Sequence, residues 1–201
     1  MSAPAEPPVP SRASPANVAK LSLRDQVLAA RRRRPLVESA AAAEAIAEHV
    51  LAWDVVRRAG TVAAYVAVGR EPGTTRLLEE LTRTGKRVLL PVLRPDNDLD
   101  WVAFTGQLVP AARGLLEPVG PRLGVSTIAD ADVVLVPGLA ASSEGDRLGR
   151  GGGSYDRALA RVGAGVPVAV LLHEDETGLD VPSEPHDRRV THVVTPAGIT
   201  P

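Results

Sequence analysis

From Gly60 onward the chain alternates short β-branched runs with helical stretches, and this constrains its fold more than any other feature. Thr61–Val68, Arg87–Val92, Asp132–Pro137, Val166–Leu172 and Thr191–Thr195 read as strands, with helices over Thr75–Thr84 and Tyr155–Val162. Strands joined by crossover helices make a largely parallel sheet covered on both faces. Val133-Val134-Leu135-Val136 is apolar at every position rather than at alternate ones, as burial on both faces requires. The expected architecture is a single α/β domain of three α/β/α layers with a mainly parallel sheet. Ligands of such sheets bind at the carboxyl ends of the strands. The segments that fall there are Gly69–Thr74, the glycine-rich stretch after Pro137, and His173–Glu176, all polar or rich in glycine.

A helical segment precedes the alternation. Ser14 reads as an N-cap and Pro15 as the first helical residue, followed by Val18, Leu21, Val27 and Leu28, a helix-start pattern. Pro35 punctuates it, and a second helix is expected from Leu36 to Arg58. Met1–Ala13 carries Pro4, Pro7, Pro8 and Pro10 and no hydrophobic period. Residues 1–13 are therefore expected to form a disordered tail, and 14–201 one domain. At 201 residues and 44% hydrophobic the chain can bury one sizeable core.

Composition removes several functions. With 23 basic and 24 acidic residues there is no global field to attract nucleic acid or a membrane, so an anion must be bound locally. The absence of cysteine excludes disulfides, thiol catalysis and cysteine-ligated zinc, and fits a cytoplasmic setting. No apolar stretch approaches the roughly 20 residues that span a bilayer. Arg31–Arg34 spreads around its helix and reads as a solvated run. His49, His173, His186 and His192 have no metal-site spacing and read as surface or structural residues. Lysine is confined to Lys20 and Lys86, and tyrosine to Tyr65 and Tyr155, so each of these retained side chains merits inspection.

The strongest local signal is Arg147-Leu148-Gly149-Arg150-Gly151-Gly152-Gly153-Ser154-Tyr155-Asp156. Glycines let backbone amides approach a phosphate, and the start of a helix adds unpaired N–H donors. Arg147 and Arg150 add planar bidentate donors. The dinucleotide fingerprint would need glycine where Ser154 stands, and no Gly-Lys-Ser/Thr occurs. A flexible surface turn is the plainer reading of a bare glycine cluster, but two arginines, a strand before, a helix after and Asp156 at the helix start favour an anion loop.

The run Pro137-Gly138-Leu139-Ala140 through Gly145-Asp146-Arg147 to Tyr155-Asp156-Arg157 closely resembles the signature of the 5-formyltetrahydrofolate cyclo-ligase (5,10-methenyltetrahydrofolate synthetase) family, R-L-G-Y/R-G-G/K-G-Y-Y-D. Ser154 replaces the first tyrosine of that motif. Further matches follow in chain order. Lys20-Leu21-Ser22-Leu23-Arg24 resembles the family's K-x-x-L-R element, and its two cations share one helix face. Tyr65–Thr74 resembles the strand, loop and E-x-x-T segment. Val181–Asp187 resembles the P-x-E-x-H-D turn. Trp101–Phe104 and Gly114–Pro118 also follow the family's order, are equally read as strand core, and receive no catalytic role.

The resemblance implies ATP binding by Lys20, Arg24 and Arg147 through Tyr155, namely Arg147, Leu148, Gly149, Arg150, Gly151, Gly152, Gly153, Ser154 and Tyr155. It implies folate binding by Val66, Glu71, Arg150, Gly151, Gly152, Gly153 and Ser154, with Glu71 accepting a bidentate pair from the pterin. Catalytic roles fall on Arg147, Arg150 and Tyr155, and Mg²⁺ on Asp156 and Asp187. Thr74 reads equally as a plain N-cap. The implied reaction converts 5-formyltetrahydrofolate to 5,10-methenyltetrahydrofolate as ATP becomes ADP and phosphate, through a phosphorylated formyl oxygen. Small-molecule partners and a monomer or weak homo-oligomer are expected. Arg147, as a loop arginine, is expected to support little core. Two other readings of the residues stand beside this one: a sugar-phosphate isomerase or acyl-transferase-like enzyme without ATP, and a non-catalytic nucleotide- or folate-binding module.

Overall fold

The computed structural model describes residues 14–201; the expected tail, residues 1–13, lies outside the described residues. Ser14 accepts a hydrogen bond from the Asn17 amide and caps α1, Pro15–Arg33. Helix α2 covers Leu36–Ala52. The single helix expected to Arg58 is broken at Trp53, whose backbone turns extended before the short α3, Asp54–Arg58. The Trp53 ring instead lies 4.7 Å, centroid to centroid, from that of His192.

The strands of the main sheet are β1 (Thr61–Ala63), β2 (Arg87–Leu93), β3 (Leu99–Ala103), β6 (Val133–Pro137), β9 (Val168–Leu171), β10 (His192–Thr195) and β11 (Gly198–Thr200). Two small hairpins fill the gaps in chain order: β4 (Leu108–Pro110) with β5 (Leu116–Pro118), and β7 (Ala140–Ala141) with β8 (Arg147–Leu148). The order is β11-β10-β9-β6-β1-β2-β3. The central pairs are parallel, while the outer pairs β2–β3 and β10–β11 are antiparallel. This is the mixed, mainly parallel α/β sheet that the sequence pattern predicts.

The parity of strand residues produces the three layers. Val62, Val88, Leu90, Val133, Leu135, Ala169 and Leu171 face one side and pack with Ile46, Val50, Leu77 and Leu81 of α2 and of α4, Thr75–Arg83. Ala63, Leu89, Val134, Val136, Val168 and Val170 face the other and pack with Ala158 and Leu159 of α5, Ser154–Leu159. Strands buried on both faces need no polar alternation. A third cluster, Val27 with Leu139, Ala140, Leu148 and Val181, seats α1 on the β7–β8 hairpin.

Strand β1 is shorter than the Thr61–Val68 expected. Beyond it the ladder's place is taken by side chains: Thr74 Oγ1 donates to Tyr65 O at 3.0 Å and accepts from Ala67 N at 3.0 Å, and Glu71 accepts from Val68 N at 2.9 Å. Thr74 therefore does not cap α4 with its hydroxyl; it holds the segment after β1 off the sheet.

The solvated-run reading of Arg31–Arg34 fails at two positions. Arg31 is 1% exposed. Its Nε and Nη2 each donate to a Glu176 carboxylate oxygen at 2.7 Å, and Nη2 also reaches Gly138 O at 2.7 Å. Arg34 pairs with Asp175. Helix α1 crosses the end of the sheet, so one face of its last turn meets the loop after β9 instead of water. His173 is likewise buried, and burial first lowers its pKa, leaving a neutral structural ring.

Candidate active site

A cleft of ≈ 700 Å³ opens at the carboxyl ends of β1 and β6. The chain leaves β1 towards β2 on one side and leaves β6 towards β9 on the other. Diverging connections leave a crevice between them, and ligands of open α/β sheets bind there. The segment after β1 contributes Tyr65, Val66, Val68 and Glu71, and the segment after β6 contributes Gly138 and Arg147 through Asp156. The third expected segment, His173–Glu176, does not line the cleft: Glu176 holds Arg31, and His173 Nε2 lies 3.3 Å from Arg70 O.

Hairpin β7–β8 supports the glycine loop, with Leu139 N donating to Leu148 O at 2.7 Å. Gly151 and Gly153 take φ of +97° and +65°, a region that strains other residues. A Cβ on Gly151 would stand 3.5 Å from the Arg24 guanidinium carbon. Arg24 Nε donates to Gly149 O at 2.9 Å, so this arginine lies against the bare backbone of the loop.

Arg147 differs from the sequence expectation of a loop arginine that supports little core. It belongs to β8 and its side chain is 3% exposed. The guanidinium donates to Pro137 O at 3.2 Å and Asp156 Oδ1 at 3.0 Å, and lies 5.8 Å from the Tyr155 ring centroid. It is the floor of the loop. Its Nε is buried and, among the described residues, has no partner.

Lys20 and Arg24 both line the cleft, but Lys20 is clamped between carboxylates rather than pointing freely at it. Its ammonium donates to Asp187 at 2.6 Å and Glu184 at 2.8 Å. Burial opposes both charges; the hydrogen bonds between them prevail, holding the Lys20 ammonium above and the Asp187 carboxyl below their ordinary values. Asp187 also accepts from Glu184 N at 2.7 Å, and Asp156 accepts from Arg188 N at 3.2 Å. The two carboxylates expected to serve Mg²⁺ thus meet at neighbouring residues of one turn. Among the described residues no group of three or more His, Cys, Asp or Glu forms a cage for a metal. A pair of carboxylates beside an anion loop suits Mg²⁺, which keeps waters and takes phosphate oxygens.

Glu71 lies across the cleft with 5% of its side chain exposed. One oxygen accepts from Val68 N and the other from Arg150 Nε at 3.0 Å. Each oxygen of the carboxylate therefore already holds one donor. Tyr65 and Tyr155 both line the cleft, and burial first, then the nearby Glu71 charge, raises both hydroxyl pKa values. They are neutral donors rather than bases. Tyr65 has its hydroxyl buried without a partner among the described residues; the sequence reading gave it no role, although the scarcity of tyrosine was a signal. Pro91, Leu93, Leu99, Arg113, Leu115, Leu116 and Glu117 form a further wall, for which residue type alone provided no signal.

Fold and cleft together define an α/β enzyme whose site lies at the switch point of a mainly parallel sheet. The model of the 5-formyltetrahydrofolate cyclo-ligase family matches residues 16–196. A 5-formyltetrahydrofolate cyclo-ligase of Mycolicibacterium smegmatis is 44% identical over 183 residues, 88% of this chain and 93% of that one. One from Escherichia coli K12 is 37% identical over 117 residues, covering 56% and 64%. The solved 5,10-methenyltetrahydrofolate synthetase of Aquifex aeolicus superposes with a TM-score of 0.76 at 28% identity, covering 90% of this chain and 91% of that chain. The chain belongs to the 5-formyltetrahydrofolate cyclo-ligase family and is a ligase.

Proposed function

We propose that the protein closes 5-formyltetrahydrofolate to 5,10-methenyltetrahydrofolate, using ATP and Mg²⁺ and releasing ADP and phosphate. The observation that carries this reading is the convergence of Glu71 and Arg150 with the glycine loop, Arg24 and the Asp156–Asp187 turn on one cleft.

The carbonyl oxygen of an N-formyl group is a poor leaving group. In the proposed reaction it attacks the γ-phosphorus, ADP departs, and N10 adds to the activated formyl carbon. Loss of the N10 proton and of phosphate, which carries away the formyl oxygen, completes the methenyl bridge. The protein's task is alignment and charge stabilisation. Glu71 orients the pterin by accepting its paired N–H donors. Arg24 and the amides of Gly149–Gly153 hold the triphosphate, and Val66 contributes an apolar contact. Arg150, on a loop between the two ligands, stabilises charge on the transferring group. Arg147 keeps Tyr155 and Asp156 in place beneath the loop. Asp156 and Asp187 would hold Mg²⁺, which neutralises phosphate charge when bound.

Incubation with 5-formyltetrahydrofolate and Mg·ATP, followed by the absorbance of the methenyl product, tests the proposal. Folded protein that yields no product at millimolar ATP refutes it. Product formed without ATP refutes the phosphorylation step.

A further inference from the structure

We infer that Arg113 is a specificity residue that binds the carboxylates of a substrate's glutamate tail, an inference that rests on the folate reading above. The starting point is the charge pairing of the cleft. Of its lysine and arginine side chains, Lys20 is paired with Glu184 and Asp187, Arg147 with Asp156, and Arg150 with Glu71. Arg24 and Arg113 line the same cleft and, among the described residues, have no carboxylate partner. Arg24 is committed by position to the glycine loop. Arg113 is left for a second anion.

Its position favours the tail over the triphosphate. Along the sheet the cleft passes from the β6 side, with the glycine loop and α1, over β1 with Glu71, to the β2–β3 edge. Arg113 stands on hairpin β4–β5, which is tied to that edge through Leu93 N donating to Glu117 at 3.1 Å. Besides Arg113 and Glu117, whose carboxylate is taken up by Leu93 N, the cleft wall at this edge is apolar: Pro91, Leu93, Leu99, Leu115 and Leu116. A folate has the same sequence of chemistry, a polar pterin, an aromatic amide and then carboxylates.

Local conformation supports a selected side chain. Leu115 N bonds Ala112 O at 3.2 Å, Arg113 takes φ 59° and ψ 25°, and Gly114 φ 71°, the geometry of a type I′ hairpin turn. The first central position of that turn favours Asn, Asp or Gly, yet here it carries arginine. The guanidinium is steadied by Arg113 Nη1 donating to Asn97 Oδ1 at 3.0 Å, which leaves further N–H groups to form a bidentate pair with a carboxylate.

Arg113→Asn removes the charge and suits the turn, so the hairpin is kept. Turnover and calorimetric binding would be compared for 5-formyltetrahydrofolates bearing one glutamate, three glutamates, or none (the 5-formyltetrahydropteroate). In the variant, KM and Kd for the glutamated ligands should rise on the order of tenfold, as for losing one partly solvated charge-assisted contact. The values for kcat, KM of ATP and pteroate binding should not change, and Arg113→Lys should recover part of the loss. An equal loss on the pteroate, or a loss confined to ATP, overturns the assignment. If the wild type gives no methenyl product, the proposed reaction fails, and the binding arm still decides: a tail preference abolished by the variant supports Arg113, whereas none in the wild type refutes it.

Discussion

Glu176→Gln isolates the buried contact that sequence patterning misread. Arg31 and Glu176 have side chains 2% and 3% exposed, joined by two charge-assisted hydrogen bonds at 2.7 Å, with a third from Arg31 to Gly138 O. The amide substitution keeps the volume but removes the negative charge and turns one acceptor into a donor facing the guanidinium. Breaking one side of a buried pair leaves an uncompensated charge and costs about 3–5 kcal/mol. For a chain of this size that corresponds to a fall in Tm of roughly 10 °C. Urea unfolding followed by the fluorescence of Trp53 and Trp101 measures it. Arg57→Gln, which breaks a pair exposed by 67% and 68%, is the control and should change stability by about 0.5 kcal/mol at most. Replacing both partners, Arg31→Leu with Glu176→Leu, should recover most of the loss because no unpaired charge remains. A loss near that of the control, or no recovery in the double variant, would refute the argument that pairing in a dry site sets the cost.

Arg147→Ala should lower stability by about 2–3 kcal/mol, since it strips a buried partner from Asp156 and Pro137 O, and should also lower turnover of methenyl product by on the order of 100-fold; unchanged urea stability would restore the loop-arginine reading. Gly145→Ala should destabilise by more than about 3 kcal/mol, because its Cβ would meet Val190 O at 2.4 Å in a backbone with φ +84°, and a soluble variant with an unchanged urea midpoint would contradict this. The depressed Asp187 carboxyl stabilises the fold above its unfolded pKa and loses that contribution as pH falls through the folded value, while the raised Lys20 ammonium contributes below its unfolded pKa and is lost only as pH rises through the folded one. Urea midpoints should therefore be independent of pH near neutrality, where the pair contributes fully, and decline in acid with a slope that is shallower in Lys20→Met; identical acid limbs would exclude the coupling.

The sequence by itself determined the layers and the loops that could hold a ligand. Continuous apolar runs such as Val133–Val136 signal burial on both sheet faces, and a strand followed by Gly149–Gly153 and a helix signals an anion loop, because both patterns are local and depend on chain spacing alone. The family motif then ordered Lys20, Glu71, Arg147 and Asp187 along the chain. Tertiary structure decided what each charge faces. Arg31 and Arg32 are adjacent in sequence, yet one is buried against Glu176 and the other is exposed, because only the docking of α1 on the sheet end determines which helix face is dry. Lys20 and Arg24 share a helix face, but one is held by Glu184 and Asp187 and the other by Gly149. Arg147, read as a free loop side chain, became the buried support of Tyr155 and Asp156. Arg113 carried no signal in the chain; the β4–β5 turn and the sheet order bring it to the cleft. The partner of a charge is a long-range contact, and neither periodicity nor residue type encodes it.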